Sequence, residues 1–219
     1  MTRKEFIGLS AAAGAGFAIG NPKRGRIGSR RIFSDGENLP YDSEVEYIES
    51  TGTQWIDTGI GYYADFECTL KLRRNVSNKA LGNARESCLQ RRSAEQPYWD
   101  FCVNGTHWYS TIPIIEWHTV SWIGGKVSCD GEILRAGYNK PFSAGSMLLF
   151  NVPGYGGFQN MIAGCILYDI NGNVVRDFCP VRFINEAGEV EGAFYDRVSC
   201  AIFRNRGSGE FLIGPDRGQ

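Results

Sequence analysis

Residues 47–60 read YIESTGTQWIDTGI, in which a short apolar start is followed by small and polar residues and then by Trp55 and Ile56 before an Asp. Ser, Thr and Gly favour turns, whereas aromatic and β-branched residues favour strands. The stretch therefore predicts a turn that delivers Trp55 to an early strand, where it lies in a core or at a sheet edge.

A two-residue alternation continues beyond this stretch. Residues 66–72 alternate apolar and polar side chains, which predicts a half-buried strand. The pairs Asn104-Gly105, Gly124-Gly125 and Asp130-Gly131 are turn signals of β-hairpins. Further strands are predicted at 98–103, 106–110, 118–122, 127–129, 146–152, 161–170 and 174–183.

Three turn-linked pairs predict a meandering antiparallel sheet: 98–103 with 106–110, 118–122 with 127–129, and 161–170 with 174–183 across the Asn171-Gly172-Asn173 turn. The strand at 161–170 is almost wholly apolar, so we expect it to be covered on both faces. Many short strands over roughly 175 residues indicate two sheets packed face to face. The expected fold class is all-β.

Composition limits the classes of function. The chain has 219 residues, which suffices for one sizeable core, and its formal net charge is −1. A chain with almost no net charge is not expected to bind nucleic acid through its overall electrostatic field. After the first 20 residues no apolar run is long enough for a stable membrane span.

The N-terminus has the layout of an export signal. A basic start at Arg3 and Lys4 precedes a soft apolar stretch rich in Ala and Gly, so residues 1–20 are predicted to be the signal. It resembles a twin-arginine signal in which Lys4 replaces the second Arg, and the general secretory route stays open. Residues 21–43 are basic, then polar, and predict a flexible linker. The folded domain is expected at 44–219, in the periplasm, on the cell surface or secreted.

Seven cysteines are compatible with two interpretations. An exported protein can form disulfides, although an odd number leaves one thiol over. Cysteines in apolar alternation, such as Cys68, can equally be small buried hydrophobes. The sequence has no C-x-x-C pair and only two histidines, so no metal site is predicted.

Three segments resemble the bacterial concanavalin A-like, LamG-type jelly-roll domains. They are residues 46–60, the WHTVSW hairpin at 117–122 with VSCDGE at 127–132, and the closing run at 166–216. The resemblance covers about residues 45–216 and implies an all-β, two-sheet antiparallel jelly-roll sandwich.

One position departs from that family. Cys200 stands where the family usually has Gly, so a turn with positive φ would strain it. A nearby sulfur would explain the change, and Cys179 is one candidate.

The resemblance alone does not fix a function, because the family includes lectins, glucanases and domains that only hold proteins together. Laminarinase-like members carry Glu-x-Asp-x-Glu on one strand, and this sequence has no such string. No orienting group for His107 or His118 can be identified, and there is no nucleophile elbow. We therefore expect the chain not to be an enzyme.

Glycan binding remains, because a sugar site needs an exposed flat aromatic beside hydrogen-bonding side chains. Trp99 shares a face with Phe101 and is expected in the core. Trp108 and Tyr109 are neighbours on a strand, so one of them must point outward. Two segments, 98–109 and 151–160, are expected to meet at one site. The predicted ligand-binding residues are Asp100, Asn104, His107, Trp108, Tyr109, Tyr155, Gln159 and Asn160.

The sequence thus predicts an exported, non-catalytic module that binds polysaccharide or a cell-surface glycan. The alternative is a structural or adhesion domain that has no sugar site, and a glycoside hydrolase ranks below both. No cofactor is predicted. Calcium stays open because relatives bind it, but Asp57, Asp65, Asp100 and Asp130 are scattered and form no ligand loop.

Overall fold

The computed structural model describes residues 39–61, 65–72, 78–84, 87–91, 98–103, 106–113, 115–137, 145–152 and 156–218. These residues form strands and turns. In chain order the strands are β1 (Ser43–Glu44), β2 (Ile48–Glu49), β3 (Ile56–Asp57), β4 (Asp65–Leu72), β5 (Asn78–Ala84), β6 (Ser87–Arg91), β7 (Tyr98–Val103), β8 (Thr106–Pro113), β9 (His118–Ile123), β10 (Lys126–Cys129), β11 (Glu132–Ala136), β12 (Leu148–Leu149), β13 (Asn151–Val152), β14 (Gly156–Gly157), β15 (Asn160–Tyr168), β16 (Val174–Ile184), β17 (Val190–Asp196), β18 (Ala201–Phe203) and β19 (Leu212–Ile213).

Apart from the short β13–β14 pair, the strands build two antiparallel sheets, which confirms the all-β, two-sheet jelly-roll sandwich. The larger sheet runs β11-β10-β9-β4-β15-β16-β17-β18, and β1, β2 and β19 extend it beside that path. The smaller sheet runs β3-β12-β5-β6-β7-β8, and β13 pairs with β14. Within the described ranges no helix is long and apolar enough to span a membrane.

The core lies between the sheets and is built from facing apolar rows. One row crosses all six strands of the smaller sheet, because each residue stands opposite the next in the strand register. Every member is buried in one shared hydrophobic cluster. The row consists of Ile56, Leu149, Leu81, Leu89, Phe101 and Trp108. Burial of such rows is the main source of stability in a sandwich.

The larger sheet supplies the other half of the core. Phe66 pairs with Trp122 and Cys68 pairs with Val120, so these side chains share the inner face. Strand β4 alternates half-buried and buried residues along its whole length, as the sequence predicted. The β9–β10 hairpin is confirmed as well, with a left-handed turn at Gly124 and Gly125.

Three strand predictions need correction. The three turn-linked pairs do not form one meander, because β7–β8 belongs to the smaller sheet and the other two pairs belong to the larger. Strand β15 is central, yet its outward side chains are only half-buried, so it is not covered on both faces. The strand predicted at 146–152 is divided into β12 and β13 at Phe150, whose φ is 63°. That turn of the backbone keeps the Phe150 ring in the core.

The opening stretch and the closing segment hold each other, in what we call the clasp (residues 47–60 against 203–216). Trp55 is partly buried against the core just before edge strand β3, as predicted. Its backbone amide donates to Asn205 Oδ1 at 3.1 Å, and its carbonyl accepts from the Arg206 amide at 2.9 Å. Strand β2 pairs with both β15 and β19, which ties the closing segment to the larger sheet.

Gly207 is the tightest point of the clasp. A Cβ at this position would lie 1.8 Å from the Thr53 carbonyl oxygen, so backbone would have to move. We expect Gly207→Ala to lower the free energy of unfolding by about 3 kcal/mol, the upper end of the usual cost of overpacking. Urea denaturation measures the loss.

Gly61→Ala is the matched control, because its Cβ would meet its nearest atom only at 4.0 Å. Equal stability of the two variants would show that the closing segment does not press on the opening turn.

Candidate functional site

The β7–β8 hairpin has one apolar face and one polar face. Trp99 and Phe101 point into the core, and Trp99 is fully buried, as predicted. Side chains alternate along a strand, so Asp100 and Cys102 point to the outer face of the smaller sheet. On β8 the same rule separates buried Trp108 from Tyr109, which is 50% exposed. Tyr109 is therefore the outward-facing member of that pair.

A hydrogen-bonded network covers this outer face, which we call the outer-face network (Cys88, Gln90, Asp100, Cys102 and His107). The Asp100 carboxylate is 1% exposed and accepts from Gln90 Nε2 at 2.7 Å and from His107 Nδ1 at 3.0 Å. Cys88 Sγ lies 3.5 Å from Gln90 Oε1. Two donors therefore hold the buried carboxylate, as burial of a charge requires.

The network fixes the orientation of the His107 ring. A carboxylate only accepts hydrogen bonds, so the His107 nitrogen that faces Asp100, Nδ1, carries a hydrogen. The other nitrogen, Nε2, lies 3.7 Å from Cys102 Sγ. Asp100 is thus the orienting group for His107 that the sequence did not reveal. The Cys102 thiol is only 2% exposed, which leaves no room beside it for a bulky substrate.

Tyr109 supplies a flat aromatic surface next to this network. Its ring stacks on the His107 ring, with centroids 6.3 Å apart and planes inclined by 13°. Next to the pair lies a cavity of about 290 Å³ whose lining includes Ser110, Leu134 and Arg135. The Arg135 guanidinium lies 4.8 Å above the Trp108 ring. The cavity therefore lies at the edge of the sandwich: Ser110 shares the inner side of β8 with Trp108, and His107 and Tyr109 lie on the outer side.

The second predicted segment meets the first only in part: Val152 packs with Cys88 and Cys102, whereas its far end lies elsewhere. Gln159 Nε2 donates to the Thr51 carbonyl at 3.1 Å, and the Asn160 carbonyl accepts from the Ser50 amide at 2.9 Å. Asn160 is fully buried and belongs to β15 of the larger sheet. The structure thus places both residues beside the opening stretch, and Asp100, His107, Trp108 and Tyr109 together on β7–β8. The predicted site residues Asn104 and Tyr155 lie outside the described residues.

A larger cavity of about 640 Å³ borders the clasp and was not predicted. Its lining includes Asp57, Glu191, Phe203 and Arg204. Arg204 Nε donates to Glu191 Oε2 at 2.8 Å, and this bond lowers the pKa of Glu191 below its usual value. Arg204 and Glu191 therefore neutralise each other as an ion pair within the protein. Phe203 is half-buried and packs against Phe178 edge-on, so it offers a sugar less aromatic face than Tyr109 does.

One group of side chains could accommodate a metal ion. Ligand atoms of His118, Cys129 and Asp130 lie within 4.8 Å of one another. However, His118 Nδ1 is bonded to Asp130 Oδ2 at 2.7 Å, and Asp130 Oδ1 accepts from the Thr119 amide at 2.9 Å. Burial raises the pKa of the Cys129 thiol to about 12, which opposes the thiolate that a metal needs. The arrangement is best explained as a buried His that holds the Asp130-Gly131 turn.

The scattered aspartates each serve a separate local contact. Asp57 accepts from the Gly59 amide at 2.9 Å, and Asp65 accepts from the Gly124 amide at 2.6 Å. Together with the separate bonds of Asp100 and Asp130, these contacts place the four carboxylates in four different surroundings.

The cysteines are mostly core residues. Six of the seven are buried, Cys200 is exposed, and no disulfide joins any two of them. Cys200 has a φ of 56°, so the predicted strained turn is present. Cys200 has no partner sulfur in Cys179, because both thiols are free and Cys179 is buried among Val181, Ala193 and Tyr195.

Asp100 provides a test of the outer-face network. In Asp100→Asn the amide NH₂ would face one of the two donors, so a buried hydrogen bond is lost. We expect the free energy of unfolding to fall by about 1–3 kcal/mol, the usual cost of an unsatisfied buried group. Urea denaturation of this variant and of Asp42→Asn, an exposed carboxylate, separates the network from a general charge effect. Equal free energies of unfolding for the Asp100→Asn and Asp42→Asn variants would contradict a stabilising role of the outer-face network.

Comparison with known proteins yields a structural relative only. No family model matches the sequence, and a comparison with curated proteins found no match. The fold is similar to the crystal structure of a proposed carbohydrate-binding protein from Bacteroides ovatus, with a TM-score of 0.54 at 12% identity. The match covers 80% of this chain and 61% of that one, so the chain spans about three fifths of the other protein's length.

Proposed function

We propose that this chain is a non-catalytic module that binds polysaccharide or a cell-surface glycan through the Tyr109 surface, which comprises Tyr109 and His107, with Ser110 and Arg135 at the adjacent cavity. The observation that carries the proposal is the half-exposed Tyr109 ring, stacked on a His107 ring that a buried carboxylate holds in place. A sugar stacks an apolar CH face on such a ring and offers hydroxyls to the polar groups around it.

The pre-set orientation of His107 favours binding. A side chain that is already ordered loses little conformational entropy when a ligand arrives. Asp100 and Gln90 provide that order from below the surface, and the His107 side chain remains 29% exposed for contact. Arg135 and Ser110 add donors at the adjacent cavity. These groups hydrogen-bond to hydroxyls without requiring a charged ligand.

The structural relative supports the same class of ligand. It is itself a proposed carbohydrate-binding protein, and at 12% identity the similarity to it concerns the fold. The choice of site on this chain therefore depends on its own residues.

A binding assay with matched aromatic variants tests the proposal. We expect titration of purified protein against a panel of soluble polysaccharides to find at least one ligand. Tyr109→Ala should weaken that affinity by about tenfold, equivalent to about 1.4 kcal/mol. Trp117→Ala is the control, because Trp117 is 39% exposed but packs at a tilt against Tyr47 of the clasp, not against Tyr109 or His107.

The outcomes separate the alternatives. A loss confined to Tyr109→Ala supports the proposed surface. If Tyr109→Ala binds polysaccharide with full affinity, the binding site does not lie on the Tyr109 surface. Failure of the unmodified chain to bind any polysaccharide would favour the structural or adhesion role.

We also propose that the chain is exported, on the basis of the basic start, the apolar stretch and the small residues in 1–20. Deletion of residues 2–20 should retain the protein in the cytoplasm of a bacterial host, while the full chain is recovered outside it. Cell fractionation followed by immunoblotting measures the distribution. Equal export of both forms would contradict the assignment.

A further inference from the structure

Two cysteines of the outer-face network face each other across neighbouring strands. Cys88 on β6 stands directly opposite Cys102 on β7, and both belong to one small buried cluster with Val152. Directly opposed residues of antiparallel strands have Cα atoms about 4.5–5.5 Å apart. Disulfides span Cα separations of about 4.4–6.8 Å. The pair therefore has the spacing of a disulfide without any movement of the strands.

The pair also has a base beside it. Cys102 stands opposite His107 on β8, and its sulfur lies 3.7 Å from His107 Nε2. Asp100 holds the hydrogen on Nδ1, so Nε2 is the nitrogen available to accept the thiol proton. A thiol, an imidazole base and an orienting carboxylate in this order make up the arrangement that activates a nucleophile.

We infer that Cys88 and Cys102 form a redox-active dithiol that hydroperoxides oxidise to a disulfide, with Cys102 as the attacking thiol and His107 as its base. The site is distinct from the glycan surface in chemistry, although His107 takes part in both. The oxidation of Cys88 and Cys102 requires only their two thiols and an external hydroperoxide as oxidant.

The reaction is balanced in two steps. His107 takes the Cys102 proton, and the thiolate attacks one oxygen of the hydroperoxide while the O–O bond breaks. The leaving oxygen takes the proton from His107, which gives water from hydrogen peroxide and a sulfenic acid on Cys102. The Cys88 sulfur then attacks the Cys102 sulfur, the S–O bond breaks, and the hydroxyl leaves as water with the Cys88 proton. Two thiols and one peroxide become one disulfide and two waters.

Burial restricts the oxidant to small molecules. Cys88 and Cys102 are 4% and 2% exposed, so a peptide or protein disulfide has no direct approach. Hydrogen peroxide is close to water in size, and the part-exposed His107 side chain links Cys102 to solvent. His107 can therefore also exchange protons with water.

A second cysteine pair in the same molecule provides an internal comparison. Cys68 and Cys165 are also directly opposed, on β4 and β15, and both are buried in the main core. Burial raises the pKa of the Cys68 thiol well above its ordinary value, and its contact with Cys165 raises it further. This pair shares the cross-strand geometry but lies among apolar side chains. We therefore expect it to react far more slowly.

The experiment is peptide-resolved mass spectrometry of the full chain after exposure to hydrogen peroxide. Cys200→Ser is used as the background, because the exposed thiol would otherwise react as well. Remaining thiols are alkylated under denaturing conditions and the protein is cut with trypsin. Peptide 86–91 carries Cys88 and peptide 93–126 carries Cys102, so their cross-linked product identifies the bond directly.

The expected result is a Cys88–Cys102 cross-link that forms before any loss of the Cys68 and Cys165 thiols. His107→Gln keeps a donor for Asp100 but removes the base, and should slow the cross-link by about 100-fold, within the usual range of general-base catalysis. Cys88→Ser should stop the reaction at a Cys102 sulfenic acid, which dimedone captures when it is added together with the denaturant.

Two results would overturn the inference. One is oxidation of Cys102 at the same rate as Cys68, which would mean that the outer-face network confers no reactivity. The other is an unchanged rate in His107→Gln, provided that circular dichroism shows the variant to be folded. Both readouts use soluble, folded protein and are independent of glycan binding.

Discussion

The pairing of Phe101 with Trp108 inside the core determines how the outer face of the smaller sheet is built. Side chains alternate along each strand, so a slip of one residue would move every side chain to the opposite face. With both rings buried, Asp100 and Tyr109 must face outward. The hydrophobic free energy that holds this register is therefore the same free energy that assembles the polar site. The register selects the face on which these side chains lie, and the hydrogen bonds to Asp100 then orient the His107 ring.

The neighbouring strand completes the arrangement. Leu89 continues the inner row from Phe101, and consequently Cys88 and Gln90 share the outer face with Asp100. A buried carboxylate between a Gln amide and an imidazole is stable because both donors are held by strand backbones. Rigid strands position a site more closely than loops do, which suits an imidazole that must keep one nitrogen toward Asp100 and the other toward Cys102.

The sequence predicted those features that depend on local pattern. Alternation at 66–72, the Gly124-Gly125 and Asp130-Gly131 turns and the core position of Trp99 follow from side-chain periodicity and turn residues. The strained turn at Cys200 was predicted from the one departure from the family pattern. The two-sheet class follows from many such strands together.

Features that depend on which strands become neighbours could not be read from the sequence. Gln90 and Asp100 are ten residues apart, and nothing in either local pattern indicates that β6 and β7 would place them at 2.7 Å. The orienting role of Asp100 toward His107 was missed although the β7–β8 hairpin was predicted, because His107 stands opposite Cys102 in the register and reaches Asp100 diagonally. The single meander was wrong because hairpin signals identify a turn but not the sheet to which the hairpin belongs. The division at Phe150 depends on a backbone angle that the apolar run does not reveal.

The central claim is that the outer face of β7–β8 is where ligand binds. Chemical-shift mapping of ¹⁵N-labelled protein during titration with a polysaccharide that binds tests it most directly. The account predicts that the largest shifts fall on backbone amides of 98–103 and 106–110. Shifts confined to 203–211, around the larger cavity beside the clasp, would contradict it.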